Sequence, residues 1–362
     1  MLNYVLLNYK SDFKFLLEVK GMDEAKEMEM QADDLKPVRK HFSRIGLMYF
    51  LGTIVIYAVQ FLVAILIMAL RPEWLEDVNI SMAISMIPMY LMGMPILILL
   101  VKRVPAVKIE KHPMKPGHFV LAVIMTFAIM YISNIIGNIF TFIIGLLKGG
   151  AVENVLIDMI SGLDLFWVFV YTVICAPIME EYIFRKLIVD RTVRYGQGVA
   201  VLLSGFMFGL FHGNLNQFAY AFTLGMFLAF LYVKTGKLKI TIAIHMMVNF
   251  MGGVASSLIM QMLDMEEYLR IGESRDLVAM TDFVMENSLA ILMLLGFFAF
   301  AVSMIIAGGI MLVVFLVKKR FTLAPGEVTI PKGKRFQTVI LNVGMSLFCL
   351  FWFGTIIWQM IS

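Results

Sequence analysis

Charge is scarce in this sequence. Only 15% of its 362 residues are Asp, Glu, Lys or Arg, and they sum to a net charge of +4, too slight an excess to indicate a nucleic-acid partner. Cysteine is scarcer still. Cys175 and Cys349 both lie inside apolar runs, which excludes an extracellular disulfide framework. No secretory signal opens the chain, because Met1–Leu7 is only briefly apolar before Lys10, Asp12 and Lys14 and no small-residue cleavage site comes after them. Internal repeats, low-complexity segments and a soluble domain are all missing as well.

Hydrophobic residues, by contrast, make up 60% of the chain, well above the share in soluble domains. The sequence is that of a polytopic membrane protein, an all-α helical bundle of eight or nine spans. Nine apolar runs approach or exceed the ~20 residues that cross a bilayer: 46–70, 80–101, 118–147, 164–183, 199–212, 217–233, 239–260, 287–317 and 337–361. Residues 1–45 form a charged tail with an acidic, helical-looking stretch over Met22–Asp34, and 46–362 form the membrane domain. The fifth and sixth runs are short and joined only by Gly213-Asn214-Leu215-Asn216. They are expected to be half-length helices meeting at a buried turn.

Every second connection is basic. Arg39, Lys40 and Arg44 precede the first run; Lys102–Lys115, Arg185–Arg194, Lys234–Lys239 and Lys318–Arg335 come after the second, fourth, sixth and eighth. Intervening segments carry Glu73, Glu76 and Asp77, then Glu153 and Asp158, then the acidic loop 261–287. The positive-inside tendency places the N-terminus in the cytoplasm and the C-terminus outside, and the plasma membrane is the expected location.

Against this background one stretch stands out: Ala176-Pro177-Ile178-Met179-Glu180-Glu181-Tyr182-Ile183-Phe184-Arg185. Charged side chains at bilayer depth cost at least ~2.5–3.5 kcal/mol, so they pair, face a protein interior or carry function. Glu181 and Arg185 are one helical turn apart and can neutralise each other. Glu180 points about 100° away from that pair. It is the carboxylate left over, and a kink at Pro177 would aim it inward.

Five histidines are present, of which His41, His112 and His118 lie in basic or boundary segments. His212 and His245 lie in apolar runs, each with a companion one turn away, Phe208 and Asn249. If Glu180, His212, His245 and Asn249 converge, they suit hydrolysis: a carboxylate base for water, an imidazole to orient it, and an imidazole and amide to receive an oxyanion. Two histidines and a carboxylate would also suffice to hold zinc, with Glu180, His212 and His245 as ligands. His-Glu-x-x-His is absent, and the same residues suit metal-free hydrolysis equally. A structural reading stands beside this one, since intramembrane His and Asn often serve only as interhelical hydrogen-bond partners. Asn134 and Asn138, a turn apart in the third run, suit either packing or cavity lining, and packing is the favoured reading.

Glu180-Glu181-x-x-x-Arg185, Phe208-x-x-x-His212 and His245-x-x-x-Asn249, in this order over about 164–255, resemble the three motifs of the CPBP family of intramembrane proteases. This is the CAAX-protease and bacteriocin-processing group, also called Abi. The resemblance implies an endopeptidase whose site lies within the membrane and opens to the cytoplasmic side. Glu180 would activate water, His212 would help hold it, and His245 with Asn249 would stabilise the oxyanion, while Glu181, Arg185 and Phe208 support the site. The implied partners are membrane lipid and a membrane-associated peptide or protein: a prenylated CAAX protein, a leader peptide or an anchored regulator. Two alternatives keep the same helices, a non-catalytic scaffold or bacteriocin immunity protein and a proton-coupled transporter. One distance conflicts with convergence. His212 lies about 20 Å, at ~1.5 Å per residue, beyond the basic stretch Arg194–Gly198, whereas Glu180 and His245 lie much nearer theirs. Either the fifth span tilts and begins deeper, with part of 186–198 buried, or a span boundary is misplaced; the order of the motifs favours the boundary.

Overall fold

The computed structural model describes residues 35–150, 152, 162–274 and 276–361. The stretch Met22–Asp34 and the acidic Glu153 and Asp158 lie outside them. In chain order the main helices are α1 (Lys36–Leu70), α2 (Val78–Lys102), α3 (Pro116–Lys148), α4 (Leu165–Tyr195), α5 (Gln197–Phe211), α6 (Leu215–Thr235), α7 (Leu238–Gln261), α8 (Met265–Ser274), α9 (Leu277–Glu286), α10 (Ser288–Val317) and α11 (Val343–Ile361). No strand occurs among the described residues. The protein is an all-α membrane bundle in which α1–α4, α6, α7, α10 and α11 are long and apolar enough to cross a bilayer.

Three expectations change. α5 has 15 residues, about 22 Å at ~1.5 Å per residue, which is short of a ~30 Å hydrocarbon core; the nine runs are therefore eight full spans and one short helix. α6, expected to be half-length, has 21 residues. The segment 261–287, expected as a loop, folds into α8 and α9. Asp276 opens α9 by accepting the Val278 and Ala279 N–H groups at 2.9 and 3.1 Å, a carboxylate N-cap. At the other end of the chain, α1 already begins at Lys36 with Pro37 in its first turn, where a missing N–H costs nothing.

The basic connections gather at one end of the bundle. The Val107 N–H donates to the Asp190 carbonyl at 2.6 Å and the His112 N–H to that of Thr235 at 2.9 Å. Gln197 Oε1 accepts from Lys234 Nζ at 3.1 Å and from the Ala324 N–H at 3.0 Å. The His41 ring meets the Arg191 carbonyl at 2.8 Å. The start of α1, the α2–α3 connection, the α4–α5 and α6–α7 turns and the 318–334 loop thus share a face, as the alternation of charge requires.

That arrangement resolves the depth of His212. α4 does not stop near 183; it continues to Tyr195, with Asp190, Arg191 and Thr192 buried in the bundle. Residues beyond Glu180 carry α4 about as far as α5 then carries the chain back, so the antiparallel pair returns His212 to the level of Glu180. The start of α5 moves only from 199 to 197. The misplaced boundary is the end of the fourth span, which moves from 183 to 195, and Asp190, Arg191 and Thr192 in the added stretch are buried; the apolar pattern concealed both.

α5 can lie against α6 because glycines face the contact. A Cβ on Gly205 would stand 2.8 Å from the Met226 backbone N, and one on Gly209 2.9 Å from Phe222 Cβ. Small residues are what allow helices in lipid to approach this closely. One hydrophobic core joins α1, α2, α4, α5 and α11 around Phe42, Tyr49, Phe184, Phe208 and Phe348. A second joins α3, α6 and α7 around Met125, Leu228 and Ile244. Phe208 of the first and Met130, Leu224 and Val248 of the second line the cavity between them.

Candidate active site

A cavity of about 350 Å³ opens between α2, α3, α4, α6 and α7, and its wall includes Glu180, Phe208, His212, His245 and Asn249. The four polar residues come from three separate segments of the chain, and the fold brings all of them to one space. Glu181 and Arg185 stand behind that wall, each fully buried. Their division reflects helical rotation: adjacent carboxylates differ by about 100° in direction, so one faces the cavity and the other the protein.

Behind the wall the charges form a line. Arg185 Nε lies 3.2 Å from Glu181 Oε2, and the other Glu181 oxygen, Oε1, meets His245 Nδ1 at 2.9 Å. His245 Nε2 then lies 3.7 Å from Glu180 Oε2, at the cavity. The imidazole thus sits between two carboxylates and is oriented by the buried one, as a triad carboxylate orients its histidine. Arg185 rests its guanidinium over the Phe208 ring, 4.2 Å from the centroid, and its N–H groups have no hydrogen-bond acceptor among the described residues. The cation is held by Glu181 and by the ring's negative face. Phe208 also meets both histidines edge to face, His212 at 4.7 Å and His245 at 5.8 Å. The sequence pairs Phe208 with His212 only; its service to Arg185 is a tertiary fact.

His212 Nδ1 lies 2.8 Å from the Phe208 carbonyl. That carbonyl can only accept, so Nδ1 carries the proton and a neutral ring leaves Nε2 as an acceptor.

Pro177 acts through a hydrogen bond it cannot make. The turn Phe169–Cys175 is π-helical, and the Ala176 N–H reaches back five residues to the Tyr171 carbonyl. In that register the next N–H, at position 177, would serve the Thr172 carbonyl. Proline has none. Asn249 Nδ2 donates to that orphaned carbonyl instead, at 2.8 Å, which ties α7 to α4 beside the cavity. The helix continues through Pro177 and widens again over Glu181–Val189 and, in α7, over Phe250–Ala255. Such π-helical turns recur at functional sites.

Several cavity residues carry weaker signals in the sequence. Asn134 lines the cavity and accepts from Asn138 Nδ2 at 2.9 Å, so Asn134 is more than packing. Gln217 Nε2 donates to the Tyr220 hydroxyl at 2.8 Å; a glutamine in an apolar helix is a visible signal, whereas tyrosine is common there. Nothing in the sequence marks Tyr90 or Tyr171, although both line the cavity. The Tyr171 hydroxyl is buried with no hydrogen-bond partner among the described residues.

A zinc ion here would have to be held by Glu180, His212 and His245. Among the described residues no three His, Cys, Asp or Glu side chains are grouped to hold a metal ion. Nδ1 of His212 is held by the Phe208 carbonyl and Nδ1 of His245 by Glu181, which leaves each Nε2 facing the cavity, as in a histidine that ligates a metal.

Comparison with known proteins bears on the same segment. Residues 162–251 match the family model described as "Type II CAAX prenyl endopeptidase Rce1-like". The chain is similar to the "Putative membrane peptidase YdiL" of Bacillus subtilis, 28% identical over 127 residues, which cover 34% of this chain and 50% of that protein. It is also similar to the "Membrane-embedded CAAX protease MroQ" of Staphylococcus aureus, 25% identical over 210 residues, covering 54% of this chain and 84% of that one. The chain thus spans half the length of the first of these relatives. No solved structure matches it.

Proposed function

Residues 162–251 place the chain in the CPBP family, that of the Rce1-like CAAX proteases, and from that premise we propose that it is an intramembrane endopeptidase in which Glu180 activates water. The carrying observation is that Glu180, His212, His245 and Asn249 line one cavity, with the buried Glu181–Arg185 pair behind them.

The Glu180 carboxylate takes a proton from a water molecule whose remaining contacts include His212 Nε2. The hydroxide adds to the scissile carbonyl carbon, and the electron pair moves to the oxygen. His245, when protonated, keeps Nδ1–H on Glu181 and offers Nε2–H to that oxyanion, and Asn249 offers its second N–H. Pre-aimed donors of this kind contribute ~2.7–4 kcal/mol each to transition-state stabilisation in a site shielded from bulk water. Glu180, now a carboxylic acid, returns its proton to the leaving amide nitrogen as the C–N bond breaks. No step passes through a metal.

The substrate is a peptide bond held at the membrane, in a prenylated CAAX-like protein, a leader peptide or an anchored regulator. Its own lipid or apolar anchor supplies affinity at ~0.8 kcal/mol per buried methylene. The basic end of the bundle faces the cytoplasm, and the plasma membrane is the site of action. The test is cleavage of fluorogenic prenylated and leader-type peptides by detergent-purified protein, wild type against Glu180→Ala, with metal content measured on the same sample. Cleavage lost in the variant supports the reading. Cleavage that survives removes Glu180 as the base, and stoichiometric metal lost on His212→Ala or His245→Ala moves the chemistry to a metalloprotease.

A further inference from the structure

A second cavity, of about 440 Å³, lies at the basic end of the bundle, with Lys40, His41, Arg44, Arg194, Tyr195 and Val328 in its wall. It shares no lining residue with the cavity that holds Glu180, and its chemistry is independent of the proteolytic reading. Its charge is one-sided: three cations line it and no carboxylate does. None of the three makes an ion pair among the described residues.

Arg191, one turn before Arg194, is fully engaged by comparison, donating to the Val101 and Leu187 carbonyls at 3.0 Å each. The Nε of Arg194 is buried and has no acceptor among the described residues, and its guanidinium packs on the Tyr195 ring at 5.6 Å. Gathering like charges around a partly enclosed space raises its energy unless an anion enters. Guanidinium groups match the oxygens of a phosphate in fork geometry, and lysine adds a point charge.

The pocket's level identifies the source of the anion. Lys40 and Arg44 sit in the opening turns of α1, whose outward apolar side chains begin with Leu51 and Ile54. Cations immediately before a lipid-facing surface lie where phospholipid headgroups lie, and basic pockets between membrane helices bind such headgroups. We propose that this pocket binds the phosphate of an anionic phospholipid headgroup. The bound headgroup neutralises the start of α1 and the α4–α5 turn together, and so braces the end of α4 through His41 on the Arg191 carbonyl.

Native mass spectrometry of the full chain released from nanodiscs of equimolar phosphatidylglycerol and phosphatidylcholine tests this. Wild type is expected to retain phosphatidylglycerol about tenfold over phosphatidylcholine. Arg44→Gln combined with Arg194→Gln abolishes the preference. Arg39→Gln leaves it unchanged, because Arg39 is bound to the Leu341 carbonyl and does not line the pocket. If the double variant does not fold, Lys40→Gln and Arg194→Lys singly are expected to lower the preference several-fold. Equal retention of the two lipids by wild type, or an unchanged preference in the variants, overturns the proposal. Inorganic phosphate or glycerol phosphate occupying the pocket as fully in phosphatidylcholine nanodiscs overturns the lipid assignment in favour of a soluble phosphate.

Discussion

The two cavities are built along the same helix and differ in how their charges are matched. Around the cavity of α4 and α7, Arg185, Glu181, His245 and Glu180 succeed one another in alternation, each within 3.7 Å of the next. At the basic end, Lys40, Arg44 and Arg194 surround a space with no acid in its wall. A buried line in which an arginine, a carboxylate, an imidazole and a second carboxylate each meet the next is complete in itself and aims its last member at whatever enters. One made of cations alone is complete only with an anion. Burial explains why the first must be matched, since an unpaired charge at bilayer depth is penalised by several kcal/mol, whereas cations at the membrane surface retain water.

The comparison breaks most sharply at Glu180. Replacing it with Gln keeps the shape and removes the proposed base, so peptide cleavage should fall ~10²–10⁴-fold, the usual contribution of general-base catalysis, while the melting temperature in detergent changes little. Unchanged cleavage rates in Glu180→Gln would end the catalytic assignment.

Glu181→Gln makes the site resemble the basic pocket, by leaving Arg185 without its carboxylate in a fully buried position. Loss of one partner of a buried pair costs ~3–5 kcal/mol, read as a lowered midpoint of denaturant unfolding. Adding Arg185→Met to that variant should recover much of the stability and none of the activity, because His245 still lacks its orienting carboxylate. Recovery of both together would reduce Glu181 to a counter-ion.

A smaller effect is expected at Pro177. Alanine there supplies the N–H that Thr172 lacks, competes with Asn249 for its carbonyl, and loosens one of the proposed oxyanion donors. We expect kcat to fall by up to about tenfold, less than outright loss of a donor, with KM little changed; kinetics on the same fluorogenic peptide check it. Lys186→Met should matter least. Lys186 pairs with Asp190 beyond Glu181–Arg185; its own side chain is 37% exposed but that of Asp190 only 7%, and since Asp190 keeps the Tyr232 hydroxyl at 2.9 Å, the stability loss is expected to be ~1–3 kcal/mol, below that of Glu181→Gln, with cleavage little changed. A loss as large as that of Glu181→Gln in the denaturant midpoint would show that burial of the carboxylate alone, and not of both partners, sets the strength of these pairs.

Much of this arrangement is legible in the chain because it depends on local periodicity. The 100° advance of a helix separates Glu180 from the Glu181–Arg185 pair, and the one-turn spacing unites His245 with Asn249, whatever surrounds them. Apolar runs locate the helices, and the alternation of basic connections assigns them to ends. The spacing also marks Pro177 as important, although through a kink; the structure shows instead an orphaned carbonyl at Thr172 and an amide brought to it from α7. Asn134, equally visible as an intramembrane amide, reads as packing in the sequence because nothing local distinguishes a packed side chain from one facing a cavity. Polarity suggests a loop at 261–287, yet amphipathic helices are just as polar on one face.

Composition and periodicity therefore determined that this protein is a helical membrane bundle, where its buried charges lie and which of them share a turn. Only the tertiary structure decided that His212 returns to the depth of Glu180, that Glu181 serves His245 as well as Arg185, and that Lys40, Arg44 and Arg194 enclose a common space. The reason is physical. Helical spacing is a property of one segment and can be read along it, whereas depth, tilt and convergence depend on how far each helix runs before turning and on which faces pack. In α4, the buried polar residues Asp190, Arg191 and Thr192 extend the helix beyond the point where hydrophobicity marks its end.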